Sequence, residues 1–317
     1  MSKDSVLRRV QTAPAAYPNS PAMDTSAKGP VEVERVPVRH RYFRAIWYSG
    51  NILLILAILL AIYSVMWEYS TRRYLKGFSD AVVPESSSAV DKVEAILNWM
   101  SLGPARQKSD QIVTAPDRDP TDTLNYASLL RVCGSATNAF INLADSAGLP
   151  ARRLLLLDSR HLTTHVVAEV LIDGRWIVVD PAFRMIPRGS DGRLLTREDL
   201  VDPAILSAAT RGVPGYSPAY TFDRAVHIRV SRLRYVGLPL RMALDRLLPG
   251  WEDSAAASLL LERESLATMV VALAAVFLLV ILRVALRWYG ERRLGIRPVR
   301  IRQQVRRAFY AFVDTAG

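Results

Sequence analysis

The chain has 317 residues, half of them hydrophobic, with 41 Lys and Arg against 30 Asp and Glu, a formal net charge of +11. It holds one cysteine, Cys133, and four histidines, His40, His161, His165 and His227. A lone cysteine excludes an internal disulfide framework, and this scatter of ligands gives no pair at the spacings usual for zinc, so no metal and no cofactor is expected.

Residues 1–44 are rich in Pro, Ser and Ala, with few large apolar residues and no period, which predicts a disordered tail. The stretch 45–67, from Ala45 to Trp67, carries no charged side chain. Roughly 20 apolar helical residues cross a bilayer, so this run predicts a first transmembrane helix. It lies too far from the start, and is too long, for a cleaved leader, and is read as a retained anchor. Residues 265–286 predict a second span, uncharged from Ser265 to Leu282.

Charge placement sets the expected orientation. Arg35, Arg39, Arg41 and Arg44 precede the first span, and nine arginines from Arg283 to Arg307 follow the second run. The inner flanks hold fewer basic residues, so both termini are expected in the cytoplasm and 68–264 on the far side. The basic tail, residues 287–317, is assigned to lipid contact at the bilayer surface, not to nucleic acid.

Within 68–264, serines 86–88 stand where a helix cap is needed before Val90, Val93, Ile96, Leu97 and Met100, which recur at helical spacing. Residues 101–125 read as a loop. A helix is expected from Cys133 to Ser146, ended by Gly148 and Pro150. Arg153 to Asp158 reads as a strand. Thr164 to Ile172 and Arg175 to Asp180 flank Asp173-Gly174, a two-residue hairpin signal. A further helix is expected over 197–210 and a strand over 223–233. Residues 236–251 mix apolar residues with Arg241 and Arg246; they suit a membrane-surface segment or an ordinary solvated face equally.

The hairpin brings a candidate site together. If Asp173 and Gly174 form the turn, Ile172 pairs with Arg175 and Val167 stands opposite Asp180, so His165 shares a face with Asp180. Such diagonal neighbours lie about 7–8 Å apart at Cα, within reach of a side-chain hydrogen bond. Cys133 opens its helix, where unpaired amides and the dipole favour thiolate. Each residue alone has an ordinary reading: a packed thiol, a satisfied strand histidine, a turn-forming Asp before Pro181. In this order they predict a nucleophile, a base and a group that orients the base. Trp176, on the face of Asp180, is assigned to the core, and Glu169 to a salt bridge. His161 is a weak substitute for His165, and Asn125 and Ser135 are candidates for a second oxyanion donor.

These segments resemble the transglutaminase-like superfamily, within the papain-like cysteine enzymes. The resemblance covers about residues 88–185 and rests on the Cys at a helix start, Ala147-Gly-Leu-Pro-Ala-Arg152, His165-Val-Val-Ala-Glu-Val170 and Gly174-Arg-Trp-Ile-Val-Val-Asp-Pro181. It implies Cys133, His165 and Asp180 as a catalytic triad. The family often carries an aromatic beside the histidine, where Val166 and Val167 stand here. Arylamine N-acetyltransferases share the Cys, His, Asp order but as a rule lack the Trp-to-Asp-Pro ending.

The expected whole is an α+β protein of a bacterial inner membrane, with a papain-like core, a Cys-bearing helix packed on an antiparallel sheet, between two transmembrane helices. Its expected substrate is an amide or ester of a cell-envelope peptide or acylated surface polymer. Expected partners are the lipid bilayer and other membrane proteins of an envelope or polysaccharide system. The rival reading is a non-enzymatic scaffold in polymer assembly or export that retains the fold.

Overall fold

The computed structural model describes residues 38–85, 87–102, 119–124, 132–228 and 237–295. The tail expected before residue 38, most of the loop expected over 101–125, Asn125, and the basic tail beyond 295 lie outside these residues.

Helix α1, Val38–Val82, is 45 residues long. At about 1.5 Å per residue it extends roughly 68 Å, about twice the hydrocarbon thickness of a bilayer. The apolar run is therefore only its first part, and the helix does not stop where that run ends. The first part exposes Ile52, Leu56, Leu59 and Ile62, as a lipid-facing surface requires. The second part enters the folded domain, where Leu75 is fully buried and Phe78 and Val82 pack against the core. One stripe of α1 is buried throughout, through Leu54, Ala61, Ser64, Glu68, Thr71, Leu75 and Ser79. Its steps of three, four and seven residues are those of a helix-packing seam.

The last helix described, Glu264–Arg293, has 30 residues and packs along α1. Both helices are long and apolar enough to span a membrane. They run antiparallel. The Phe43 ring covers Gly290, where an added Cβ would lie 2.6 Å from its tip. Arg283 sits 5.4 Å from the Trp47 ring centre, and at the other end Ser265 donates to Glu68 at 2.7 Å. The outer ends of the two helices thus lie at one end of the pair and the domain at the other.

Between them stands a domain of mixed helix and antiparallel sheet. Helix α2, Ala89–Ser101, begins with reciprocal capping: the Asp91 amide donates to Ser88 Oγ, and the Ser88 amide to the Asp91 carboxylate. A single helical turn, α3, Pro120–Thr123, falls in the segment expected as loop; Asp119 caps it and Pro120 occupies its first position. Helix α4, Cys133–Ser146, has the expected bounds, and every residue from Gly134 to Ala144 is buried. Burial on all sides is possible because Gly134, Ser135, Ala136, Ala139 and Ala144 are small. Its buried polar groups are hydrogen-bonded, as burial demands: Thr137 donates to the Val166 carbonyl at 3.1 Å, and Asn138 and Asn142 donate to the Glu262 carbonyl.

The sheet has the order β3-β2-β1-β4, with β1 Ala151–Leu157, β2 Thr163–Ile172, β3 Arg175–Val179 and β4 Ala225–Val226. All its pairings are antiparallel. Ile172 pairs with Arg175 across a turn with φ of 48° at Asp173 and 78° at Gly174, the register expected from the sequence. Ala168, Val170, Ile177 and Val179 pack on the side of α2 and α4. Leu154, Leu156, Val167 and Val178 join a second cluster with Leu195, Leu200 and Phe222.

Three expectations need correction. The helix over 197–210 is two short helices, α5 Arg197–Leu200 and α6 Pro203–Ala209. Pro203 keeps Asp202 out of the helical region, and the Asp202 carboxylate caps α6 through the Ala204 amide at 2.8 Å. The strand over 223–233 is ordered as strand only at 225–226, and 229–233 lie outside the described residues. Trp176 is half-buried, and not in the core: the Arg152 guanidinium lies 4.0 Å from its ring centre. Helix α7, Gly237–Leu247, a short turn at Trp251–Asp253, and α8, Ala255–Glu262, lead into the final helix α9, Glu264–Arg293.

Candidate active site

Cys133 is the first residue of α4, after Val132 in extended conformation (φ −137°, ψ 155°). The first-turn amides of a helix have no intrahelical acceptor, so they and the dipole present positive potential at the sulfur. Cys133 is half-buried and forms no disulfide. Helix α4 packs across β2, and the Thr137 bond to the Val166 carbonyl ties the helix to the strand one residue beyond His165.

His165 pairs with Leu156 of β1, and the ladder slips between Leu156 and Leu157. This irregularity directly precedes the histidine, and an added residue in one strand re-aims the side chain beside it. Across the hairpin, His165 Nε2 lies 2.7 Å from Asp180 Oδ2. Both residues are buried, His165 at 0% and Asp180 at 1% exposure. The other Asp180 oxygen accepts from the Phe183 amide at 3.2 Å, and the Asp180 backbone is bridged to Met185, so the carboxylate is held from two directions.

Asp180 occupies Nε2, which leaves Nδ1 for the thiol. Among the described residues Nδ1 is buried without a hydrogen-bond partner, while Cys133 raises the pKa of the same imidazole. Burial by itself would lower the His165 pKa, but Asp180 and then Cys133 outweigh it and hold the imidazole at about 9.

An aromatic wall not foreseen from the sequence surrounds this imidazole. Tyr220 stacks on it with ring centres 4.3 Å apart and planes 10° from parallel. Phe183 and Tyr216 meet it edge-on at 5.6 and 6.3 Å. Burial, then the charges of Asp180 and Tyr220, push the Tyr216 phenol above its ordinary range, so it stays neutral. Val166 and Val167 are buried, and the aromatic contact comes from a distant loop instead. Its only local signal was Gly215-Tyr-Ser-Pro-Ala-Tyr220, a turn-forming stretch with two aromatics, which by itself does not say what they cover.

The remaining candidates sit apart from this constellation. His161 is exposed, with φ of 58°. The Ser135 hydroxyl donates to the Val132 carbonyl at 2.9 Å and so serves the start of its own helix. Glu169 is in the expected salt bridge, with Arg152 at 2.7 Å, and also meets His227 Nε2 at 2.7 Å. Burial would raise its pKa, but His227 and Arg152 hold the carboxyl below its usual range. His227 Nδ1 meets Asp253 at 2.6 Å, so the cluster clips the turn before α8 onto the sheet. Among the described residues no group of His, Cys, Asp and Glu could hold a metal ion.

No curated protein and no solved structure matches the chain. Residues 76–181, which run from the domain end of α1 through Cys133, His165 and Asp180, match the model of the transglutaminase-like superfamily, a likeness that points to a cysteine-based enzyme or a related fold.

Proposed function

We propose that this protein is a membrane-anchored cysteine enzyme of papain-like arrangement that acts through an acyl-thioester. The observation that carries the reading is a buried imidazole bonded to Asp180 at 2.7 Å on one nitrogen, with Cys133 acting on the same ring. In this reading His165 Nδ1 takes the Cys133 proton, and the thiolate attacks the carbonyl of an amide or ester. The Cys133 amide donates to the oxyanion. Collapse breaks the bond to the leaving amine or alcohol, which takes the proton from His165 and departs. Water, an amine or a hydroxyl then resolves the thioester, with His165 as base. Asp180 holds the imidazole tautomer and stabilises its charged form.

The two apolar helices support a two-pass protein, and the arginine flanks support cytoplasmic termini with the domain outside. In a bacterial inner membrane that leaves an envelope peptide or acylated surface polymer as the substrate class. One observation favours the scaffold reading: His165 is fully buried beneath Tyr220.

Alkylation of Cys133 in the full chain, followed against pH in the unchanged protein and in His165→Ala, separates the two. Rapid reaction well below the ordinary thiol pKa of about 8.5, lost in the variant, supports the enzyme. Slow labelling with an ordinary profile, unchanged by the substitution, supports the scaffold.

A further inference from the structure

At the break between α8 and α9, Glu262 ends α8 and Arg263 stands alone between the two helices; they are exposed by only 1% and 2%. Charges are rarely buried unless paired, and these two are paired in opposite directions. Arg263 reaches back along α4, donating to Asn142 at 2.9 Å and to Asp145 at 2.9 Å, and meets Glu68 of α1 at 3.3 Å. Glu68 is itself 2% exposed and accepts from Ser265 of α9 at 2.7 Å. Glu262 turns toward the front of α4. Its carboxylate accepts from Asn138 at 3.2 Å and from Arg153 of β1 at 2.5 Å. Arg153 then reaches the Gly134 carbonyl at 3.4 Å, one residue from the candidate nucleophile. Among the described residues the Arg153 Nε is buried without a hydrogen-bond partner, and Glu262 and Gly134 take the contacts of the guanidinium.

We propose that Arg153 is a positioning residue for Cys133, and that Glu262, Arg263 and Glu68 make this placement depend on the packing of the two membrane helices. The inference rests on Cys133 being the nucleophile. The helix that Cys133 opens needs no buried ions to be stable; apolar side chains of equal size would serve as well. Ions do fix direction, because a guanidinium fork fits one arrangement of acceptors. Here the fork faces the Glu262 carboxylate just before α9 and the Gly134 carbonyl in the first turn of α4. A shift of α9 against α1 therefore moves Glu262, and with it the group that orients the amino end of the Cys133 helix.

The test uses the full chain in lipid nanodiscs, with iodoacetamide alkylation of Cys133 followed against pH and the thermal midpoint measured in parallel. Arg153→Gln and Glu262→Gln should each slow alkylation at neutral pH by about tenfold and displace the profile, since small misplacements of reacting groups carry large rate effects. Each leaves its partner charge buried alone and lowers the midpoint. The double variant, without the lone charge, should recover midpoint but not rate. Arg153→Lys, which keeps the charge but cannot span both acceptors, covers the case in which the neutral variants do not fold; it should be folded and slow. Glu68→Gln, remote from Cys133, should slow alkylation as well.

Rates equal to the unchanged protein in the folded variants overturn the inference. So does a rate that returns with the midpoint in the double variant, because the network would then act on stability alone. An unaltered rate in Glu68→Gln overturns the link to the membrane helices. An inert Cys133 in the unchanged chain overturns the catalytic reading and this inference together, which distinguishes that failure from the others.

Discussion

The ring of Tyr220 lies flat on the ring of His165, 4.3 Å away, although 55 positions separate them in the chain. The stack shields one face of an imidazole whose edge bonds Asp180. A planar aromatic at this distance excludes water and restrains ring rotation without using a hydrogen-bonding position.

Replacing Tyr220 by Ala should therefore admit water to the imidazole while leaving the Asp180 bond in reach. The expected outcome is a fall of about tenfold in Cys133 alkylation at neutral pH, since the electrostatic contacts weaken when water enters. Tyr220→Phe keeps the ring and should stay close to the unchanged protein. Equal rates in the Ala variant would show that the stack has no part in the chemistry.

The His165 pKa, raised from 6.5 to about 9, makes a prediction with a definite sign. A group whose pKa rises on folding binds its proton more tightly in the folded state. Its contribution is fully present below about 6.5 and is lost as pH climbs through about 9. A shift of this size corresponds to roughly 3 kcal/mol at most. The midpoint difference between the unchanged chain and His165→Gln should be largest below about pH 6.5, shrink as pH climbs from there to about 9, and be nearly gone above it. A difference that is flat across that range contradicts the assignment.

Glu169 behaves oppositely. Its carboxyl lies below the usual range, so its contribution is present above about 4.5 and fades as pH falls through the lowered value. Glu169→Ala leaves Arg152 and His227 without their shared acceptor in a buried place and should cost about 3–5 kcal/mol. The thermal midpoint should drop sharply. The pH profile of Cys133 alkylation should not move in whatever protein remains folded, because this cluster is separate from the His165 constellation.

Orientation can be read directly because Cys133 is the sole cysteine. A membrane-impermeant maleimide added to intact spheroplasts should label it without lysis if the domain lies outside the cytoplasm. Labelling that requires lysis reverses the orientation drawn from the arginine flanks.

Much of this architecture was legible as local pattern. The two apolar runs, the capping serine at 88, the bounds of α4 and the Asp173-Gly174 turn depend on neighbours within a few residues. The turn's register alone put His165 and Asp180 on one face. Where the structure departs from the sequence expectation, a proline or a distant partner is the reason. Asp202-Pro203 splits the helix expected over 197–210, a rule visible in the sequence. Trp176 is drawn to the surface by Arg152, whose place beside it follows from strand pairing.

By itself, then, the sequence determined the apolar spans, the hairpin and the shared face of His165 and Asp180, because bilayer thickness, turn stereochemistry and strand alternation act over short distances. Only the tertiary structure decided that α1 continues beyond its apolar part into the domain, that Tyr216 and Tyr220 cover His165, and that Glu262 and Arg263 join α4 to both long helices. Those contacts join residues far apart in the chain. Their energies come from burial and from pairing buried charges, which no local spacing encodes.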